Sequence, residues 1–392
     1  MRSLVLGLLL LNNLALAADL TEWAAVDRAL QQPDIATQLE ARRALARSEM
    51  ERVGRWDNPQ VEYARETLDT PGSNEETVYL LRQRLNIAGV KGLERQSART
   101  ALDAAEAQLE SRKREIISEI RLLFYQAIAT AEQHRTLQTW HQRLDKLTQD
   151  LRVRTAAGDT SRYDQARLER ELALLTGELL QARSEAESAE DHLLLLVDME
   201  TASPTGDLLP PAPTRVVTPA IIDNHPSLHA LRAKADSAAI DQKAAKRARW
   251  PDITLGLGQR EVIDGGLKAD GHVVSVAVDI PLFDRAQGEA SAAGHRSRLL
   301  RAEHALEEHH LMAQARRIQR DWSAQREAAI ALQQSNTHSL IPMAEAAFTA
   351  GEINAMELID AYRTEIAGRQ ALIHRSLAAR QAYIQWQTFI GE

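Results

Sequence analysis

The chain carries one structural unit twice, and that duplication limits its fold more than any other feature. Asn58-Pro59-Gln60-Val61 opens a short alternating stretch and a polar Pro/Gly turn, and a second stretch over 77–87 leads into a very long helical pattern. Far downstream, Trp250-Pro251-Asp252-Ile253 opens the same series. Pro59 and Pro251 lie about 192 positions apart, and a second pair of landmarks, Gly158 and Gly351, about 193. Two independent landmarks at nearly one offset imply a repeat, with copies at 18–202 and 220–392. Between them, 203–219 holds Pro204, Pro210, Pro211 and Pro213, a run that cannot continue a helix and reads as an extended strap.

Inside each copy the period switches. Val61, Tyr63 and Arg65 alternate with Glu62, Ala64 and Glu66, while Ile253, Leu255 and Leu257 alternate with Thr254, Gly256 and Gly258. Val274, Val276, Val278 and Ile280 share one face, with Ser275, Ala277 and Asp279 on the other. A period of two over roughly nine to eleven residues is the length of a tilted membrane strand. Polar turns at 69–74 and 264–266 complete one hairpin per copy, at about 60–87 and 252–282.

The helices occupy far more of the chain. No proline interrupts 91–154, a stretch on the order of 95 Å long at ~1.5 Å per residue. Leu137, Trp140, Leu144, Leu147 and Leu151 step by three and four, and Leu168, Leu172, Leu175, Leu179 and Ala182 keep that alternation afterwards. Such seams predict antiparallel coiled-coil packing of helices at about 91–155 and 160–198. The second copy predicts helices at about 286–350 and 355–389, with Pro342 inside the first of these as a kink.

Residues 1–17 have the form of a secretory signal. A positive start at Arg2, an apolar run over 4–11 and Ala15-Leu16-Ala17 predict cleavage after Ala17. No later run reaches ~18 apolar residues, so any return to a membrane must use strands. The sequence has no cysteine, which removes disulfides, thiolate nucleophiles and a lipidated N-terminal cysteine. The net charge of −8, with both signs interspersed, offers no basic face for nucleic acid. Four strands cannot close a barrel in lipid, but three chains of four can, so membrane insertion implies a trimer.

Together these residues resemble the TolC family of outer-membrane efflux channels over nearly the whole of 18–392. Ile280-Pro281-Leu282-Phe283-Asp284-Arg285-Ala286-Gln287-Gly288, and in the first copy 85–92, resemble the CzcC-like branch, whose members serve heavy-metal pumps of the resistance-nodulation-division class. The resemblance implies a mainly helical fold with a small β part: a duplicated helix, β-hairpin and long-helix unit. It further implies a homotrimer with a twelve-stranded transmembrane barrel continued by a periplasmic helical barrel. The expected partners are a periplasmic adaptor, an inner-membrane pump and outer-membrane lipid, with no cofactor.

The runs around Gly158, Asp159 and Ser161 and around Gly351, Glu352 and Asn354 fall where one helix reverses into the next. Glycine suits the left-handed closing residue, and a polar residue caps the following helix. In the family these turns are the periplasmic tips that meet the adaptor. By resemblance, Asp164, Glu357 and Asp360 match the acids of the constriction. Glu357 and Asp360, at i and i+3, share a helix face, and three copies of it would form a carboxylate ring. A solvated N-terminal acid favoured by the helix dipole is the alternative for each. Arg154, Arg162 and Arg363 are the nearby candidates for pairing between helices.

His225 and His229, and His304, His309 and His310, read as surface histidines and not as a metal site, because no carboxylate or cysteine partner accompanies them. No phosphate loop, nucleophile elbow or paired acid–base motif points to an enzyme. Two other readings stay open: a periplasmic coiled-coil adaptor or scaffold, and a channel of the same kind for organic substrates.

Overall fold

The computed structural model describes residues 18–68, 74–158, 160–335 and 339–392. The expected signal sequence, most of the first hairpin turn and Asp159 lie outside the described residues. In chain order the elements are β1 (Ala18–Leu20), α1 (Glu22–Gln31), α2 (Pro33–Arg52), β2 (Gln60–Leu68), β3 (Asn74–Leu85), α3 (Val90–Ala157), α4 (Arg162–Val197) and β4 (Ala202–Pro204). The second copy follows with α5 (Pro219–Asp223), α6 (Pro226–Arg247), β5 (Asp252–Asp264), β6 (Leu267–Asp279), α7 (Gln287–Ser335), α8 (Leu340–Ala350) and α9 (Ala355–Ile390). Two compact units divide them: a sheet unit of Gln38–Arg112 and Pro219–Leu311, and a turn unit of Lys113–Thr218, Met312–Glu392 and the N-terminal residues to Thr37.

In the sheet unit both hairpins join one four-stranded sheet of order β2-β3-β5-β6. Antiparallel pairing of β3 with β5 sets the first copy against the second, from Glu75 opposite Ile263 to Leu85 opposite Ile253. Residues directly opposite in such a ladder share a face. Val61, Leu81, Leu257 and Val274 therefore form one row across all four strands. They are 80 %, 53 %, 64 % and 74 % exposed, so nothing among the described residues covers them. Leu255 with Val276 and Ile253 with Val278 extend the apolar face one way. In the other direction comes Tyr63 opposite Tyr79, their rings 5.2 Å apart, and then charged residues.

The opposite face is mixed, with Val78, Leu80 and Val273 among its charged residues. Ion pairs Glu62–Arg82 (2.8 Å), Glu76–Arg260 (2.6 Å) and Asp252–Arg84 (2.8 Å) lie along it. Asn86 ties the sheet to the helices: its side-chain oxygen accepts the Val90 N–H at 2.6 Å, and its amide donates to Asp252 at 3.0 Å. Small side chains bring the helices of this unit close together, with buried Ser97 on α3 hydrogen-bonded at 2.9 Å to Ser237 on α6.

In the turn unit Leu137, Trp140, Leu144 and Leu151 of α3 pack with Leu168, Leu175 and Ala182 of α4, so the residues of the predicted seams share one core. Ile341, Phe348, Leu358, Ile359 and Tyr362 of α8 and α9 complete it. The first residues of the 203–219 strap pair as β4, in parallel, with β1. Those two strands, of three residues each, are too short to leave a periodic signal. Arg380 then donates to the carbonyls of Asp207, Leu208 and Leu209, and Arg326 to that of Pro210.

One expectation is corrected. The helix anticipated over 286–350 is two helices, because Ser339 is extended (φ −67°, ψ 128°). Pro342 is the third residue of α8, a first-turn position whose N–H needs no intrahelical partner, so it starts a helix and does not kink one.

A Cβ on Gly258 would overlap the Tyr79 carbonyl oxygen, whereas one on Gly92 would meet nothing within 4 Å. Gly258→Val is expected to abolish recovery of folded protein from detergent refolding. Gly92→Ala, within α3, should raise stability by up to ~1 kcal/mol in a denaturant titration. Wild-type recovery of Gly258→Val would contradict the close β3–β5 approach.

Candidate functional site: the helix-reversal turns

Two turns of equivalent position reverse the long helices in the turn unit. At the first, Gly158 follows α3 with φ +88° and its N–H bonds the Thr155 carbonyl at 3.1 Å. Ser161 is the N-cap of α4, its hydroxyl accepting the Tyr163 N–H at 3.0 Å. Thr155 and Thr160 hydroxyls, 2.9 Å apart, tie the two sides of the turn. Asp159 lies outside the described residues.

At the second turn Gly351 has φ +78°. Its N–H bonds the Phe348 carbonyl at 3.1 Å and that of Glu352 the Ala347 carbonyl at 2.9 Å, the paired bonds of a Schellman closure. Asn354 caps α9, accepting the N–H groups of Met356 at 2.8 Å and Glu357 at 3.1 Å. Glu357 answers by accepting the Asn354 N–H at 2.9 Å, which makes a reciprocal capping box.

Asp164 and Glu357 occupy the same place, third in their helices, yet only Glu357 closes a box. The aspartate is one methylene shorter than the Glu or Gln that reaches back to an N-cap amide. The Glu357 oxygen that does so is engaged at the turn, whereas Asp360 stands exposed one turn on with no hydrogen bond or ion pair among the described residues. Of the three arginines singled out, Arg363 forks onto Glu171 of α4 at 2.8 and 2.6 Å, so that α9 is tied to α4. That carboxylate raises the Arg363 pKa further above its ordinary value. Arg154 and Arg162 make no ion pair among the described residues.

Three further contacts hold the turns and were not read from the sequence. Arg152 of α3 bonds Glu169 of α4 at 2.7 Å. Buried Tyr362 donates to Glu345, fastening α9 to α8, and burial followed by that hydrogen bond pushes the phenol pKa up. The buried Glu365 carboxylate accepts the Leu340 N–H at 3.1 Å, capping α8 from α9 where Ser339 makes no side-chain cap. A signal for the last was present, since Ser339 three residues before Pro342 is helix-start chemistry. His225, just before Pro226, is the N-cap of α6, its ring nitrogen accepting the Ser227 N–H at 3.3 Å.

Among the described residues no helix is long and apolar enough to cross a membrane, and no group of three or more His, Asp or Glu could hold a metal ion. No family model matches the sequence. The chain is 28 % identical over 228 residues to the cobalt-zinc-cadmium resistance protein CzcC of Cupriavidus metallidurans, a match covering 55 % of this chain. It spans about half the length of that relative, 53 %. Among solved structures it is similar to the outer-membrane channel OprN (TM-score 0.78, 17 % identity, 94 % of this chain and 89 % of that one). It is similar also to CusC (0.74, 16 %, 95 % and 92 %) and to the outer-membrane protein VceC of Vibrio cholerae (0.74, 17 %, 94 % and 96 %). Over about 94–95 % of its length the chain has the fold of these TolC-like outer-membrane channels. Its sequence likeness, over about half the chain, is to a heavy-metal resistance protein.

Asn354→Ala removes the acceptor for two amides and should cost about 1 kcal/mol. Gly351→Val forces a β-branched residue to positive φ and should cost about 1–3 kcal/mol, with no steric clash to add, because a Cβ there meets nothing within 4 Å. Denaturant titration checks both, and an unchanged midpoint in either variant would contradict the turn geometry.

Proposed function

We propose that this protein is the outer-membrane channel of a tripartite efflux system, a passive conduit from periplasm to exterior. It would act as a homotrimer, with its strands in the outer membrane and helices extending into the periplasm. A periplasmic adaptor and an inner-membrane resistance-nodulation-division pump would be its partners, and the pump would supply the energy. The observation that carries this reading is the four-stranded sheet with an uncovered apolar row across every strand and an ion-paired opposite face. That is the two-sided wall of a water-filled barrel in lipid. A washable adaptor would have no use for such a face. The likeness to CzcC supports divalent heavy-metal cations as cargo.

On this reading the helix-reversal turns are the periplasmic tips. Gly158, Asp159, Ser161, Gly351, Glu352 and Asn354 form the turns that meet the adaptor, and Asp164, Glu357 and Asp360 are the gate acids. Repeated threefold, exposed carboxylates on one helix face attract cations and repel one another, which sets both selectivity and the ease of opening. Asp360 is the strongest of the three for this role, since Glu357 is partly engaged in its cap and Asp164 is half-buried.

The test is conductance in planar bilayers. Wild-type protein should form cation-preferring channels blocked by multivalent cations. Asp360→Ala should weaken that block more than Glu357→Ala, whose main effect should be on stability. Channels with unaltered block in the double variant would remove both acids from the gate, and protein that forms no channels would contradict the conduit itself.

A further inference from the structure

At one end of the sheet the chain leaves for the helices four times, and at each exit it shows the solvent a large apolar side chain. Trp56 precedes β2 and Trp250 precedes β5, 58 % and 59 % exposed, while Ile87 follows β3. After β6 come Ile280, Leu282 and Phe283, the last 92 % exposed. Ile87 and Ile280 lie two residues past Leu85 and Val278, so they prolong the apolar alternation beyond the last paired row. The junction does not need these side chains. Asn86, Asp252, Arg84 and Gln83 already hold it together, Gln83 through a 2.9 Å bond to the Asp57 carbonyl. Arg249 stands next to Trp250 and Arg285 two residues after Phe283, both exposed, and neither side chain has an ion pair among the described residues. Asp252 pairs with Asp279, so these two segments leave the sheet from adjacent register positions.

We infer that this end of the sheet is a binding site for anionic phospholipid headgroups. Trp56, Trp250 and Phe283 seat at the acyl–headgroup boundary, and Arg249 and Arg285 bind the phosphates. Indole and phenyl groups favour that boundary, and a guanidinium matches a phosphate with forked hydrogen bonds. The occupant is a lipid bilayer and not a protein, because Ile87 and Ile280 continue the apolar sheet face and the exposed rings stand beside Arg249 and Arg285, with Asp279 and Asp284 also at this end. A basic side chain at such a surface favours anionic lipid by roughly fivefold each. The site rests on the channel reading, since it requires the sheet to be in a bilayer.

The test uses the full protein in vesicles of mixed phosphatidylcholine and phosphatidylglycerol, with bromine on the acyl chains of one lipid at a time. Quenching of tryptophan fluorescence is read after vesicle flotation. Subtracting the signal of a Trp56→Phe/Trp250→Phe variant isolates these two among the six tryptophans. Brominated phosphatidylglycerol should quench them more strongly than brominated phosphatidylcholine, and Arg249→Gln/Arg285→Gln should equalise the two lipids while flotation persists. Equal quenching in the wild type would overturn the anionic preference. Floated protein whose Trp56 and Trp250 are unquenched would overturn the site and leave the channel standing. Protein that does not float with vesicles would overturn the channel reading itself.

Discussion

Unpaired backbone at the edges of the sheet is the constraint on which the rest depends. Among the described residues β2 and β6 each have a partner on one side only, so the N–H and C=O groups of their outer sides find no ladder there. In water such edges are tolerable, but in hydrocarbon each unsatisfied group costs several kcal/mol. The apolar row from Val61 to Val274 is costly in water for the opposite reason. On the proposed reading, a sheet that suits neither solvent alone becomes stable in a membrane when further copies pair with its edges. Duplication serves the same end, because it gives one chain two hairpins that pair through β3 and β5.

The helical turns follow a different logic. Each saturates its own backbone locally, through a left-handed glycine on one side and a capping side chain on the other. Shape at these positions is therefore set by short-range bonds, and side chains not used in the caps are available for other work. The two copies have diverged here. Glu357 closes a box that Asp164 leaves open, and α8 is a separate short helix held to α9 by Glu345–Tyr362 and by Glu365, where the first copy has one uninterrupted helix of 68 residues. On the proposed reading, the second copy's turn is fastened to α4 through the Arg363–Glu171 fork.

Much of this was legible because it rests on period. Alternation in β5 and β6 placed the apolar face, and the stepping by three and four from Leu137 to Ala182 placed the core shared by α3 and α4. Glycine and the following polar residue located both turns. What escaped depends on pairing between distant residues: the β1–β4 ladder, the hold of Arg380 on the strap and the Glu365 cap all join positions that sequence spacing does not relate. The break before α8 escaped for another reason, since Pro342 was read as a kink although its neighbours spell a helix start. The acids divided likewise: their places on the helices were readable, but which carboxylate would be drawn into a cap was decided by one methylene.

The most direct test is the mass and location of the protein extracted from outer membranes in mild detergent. A sheet whose edges are satisfied by other copies predicts a species of three chains that requires detergent to stay in solution. A water-soluble single chain would contradict the account, because it would mean that the apolar face and open strand edges are stable without lipid or partners.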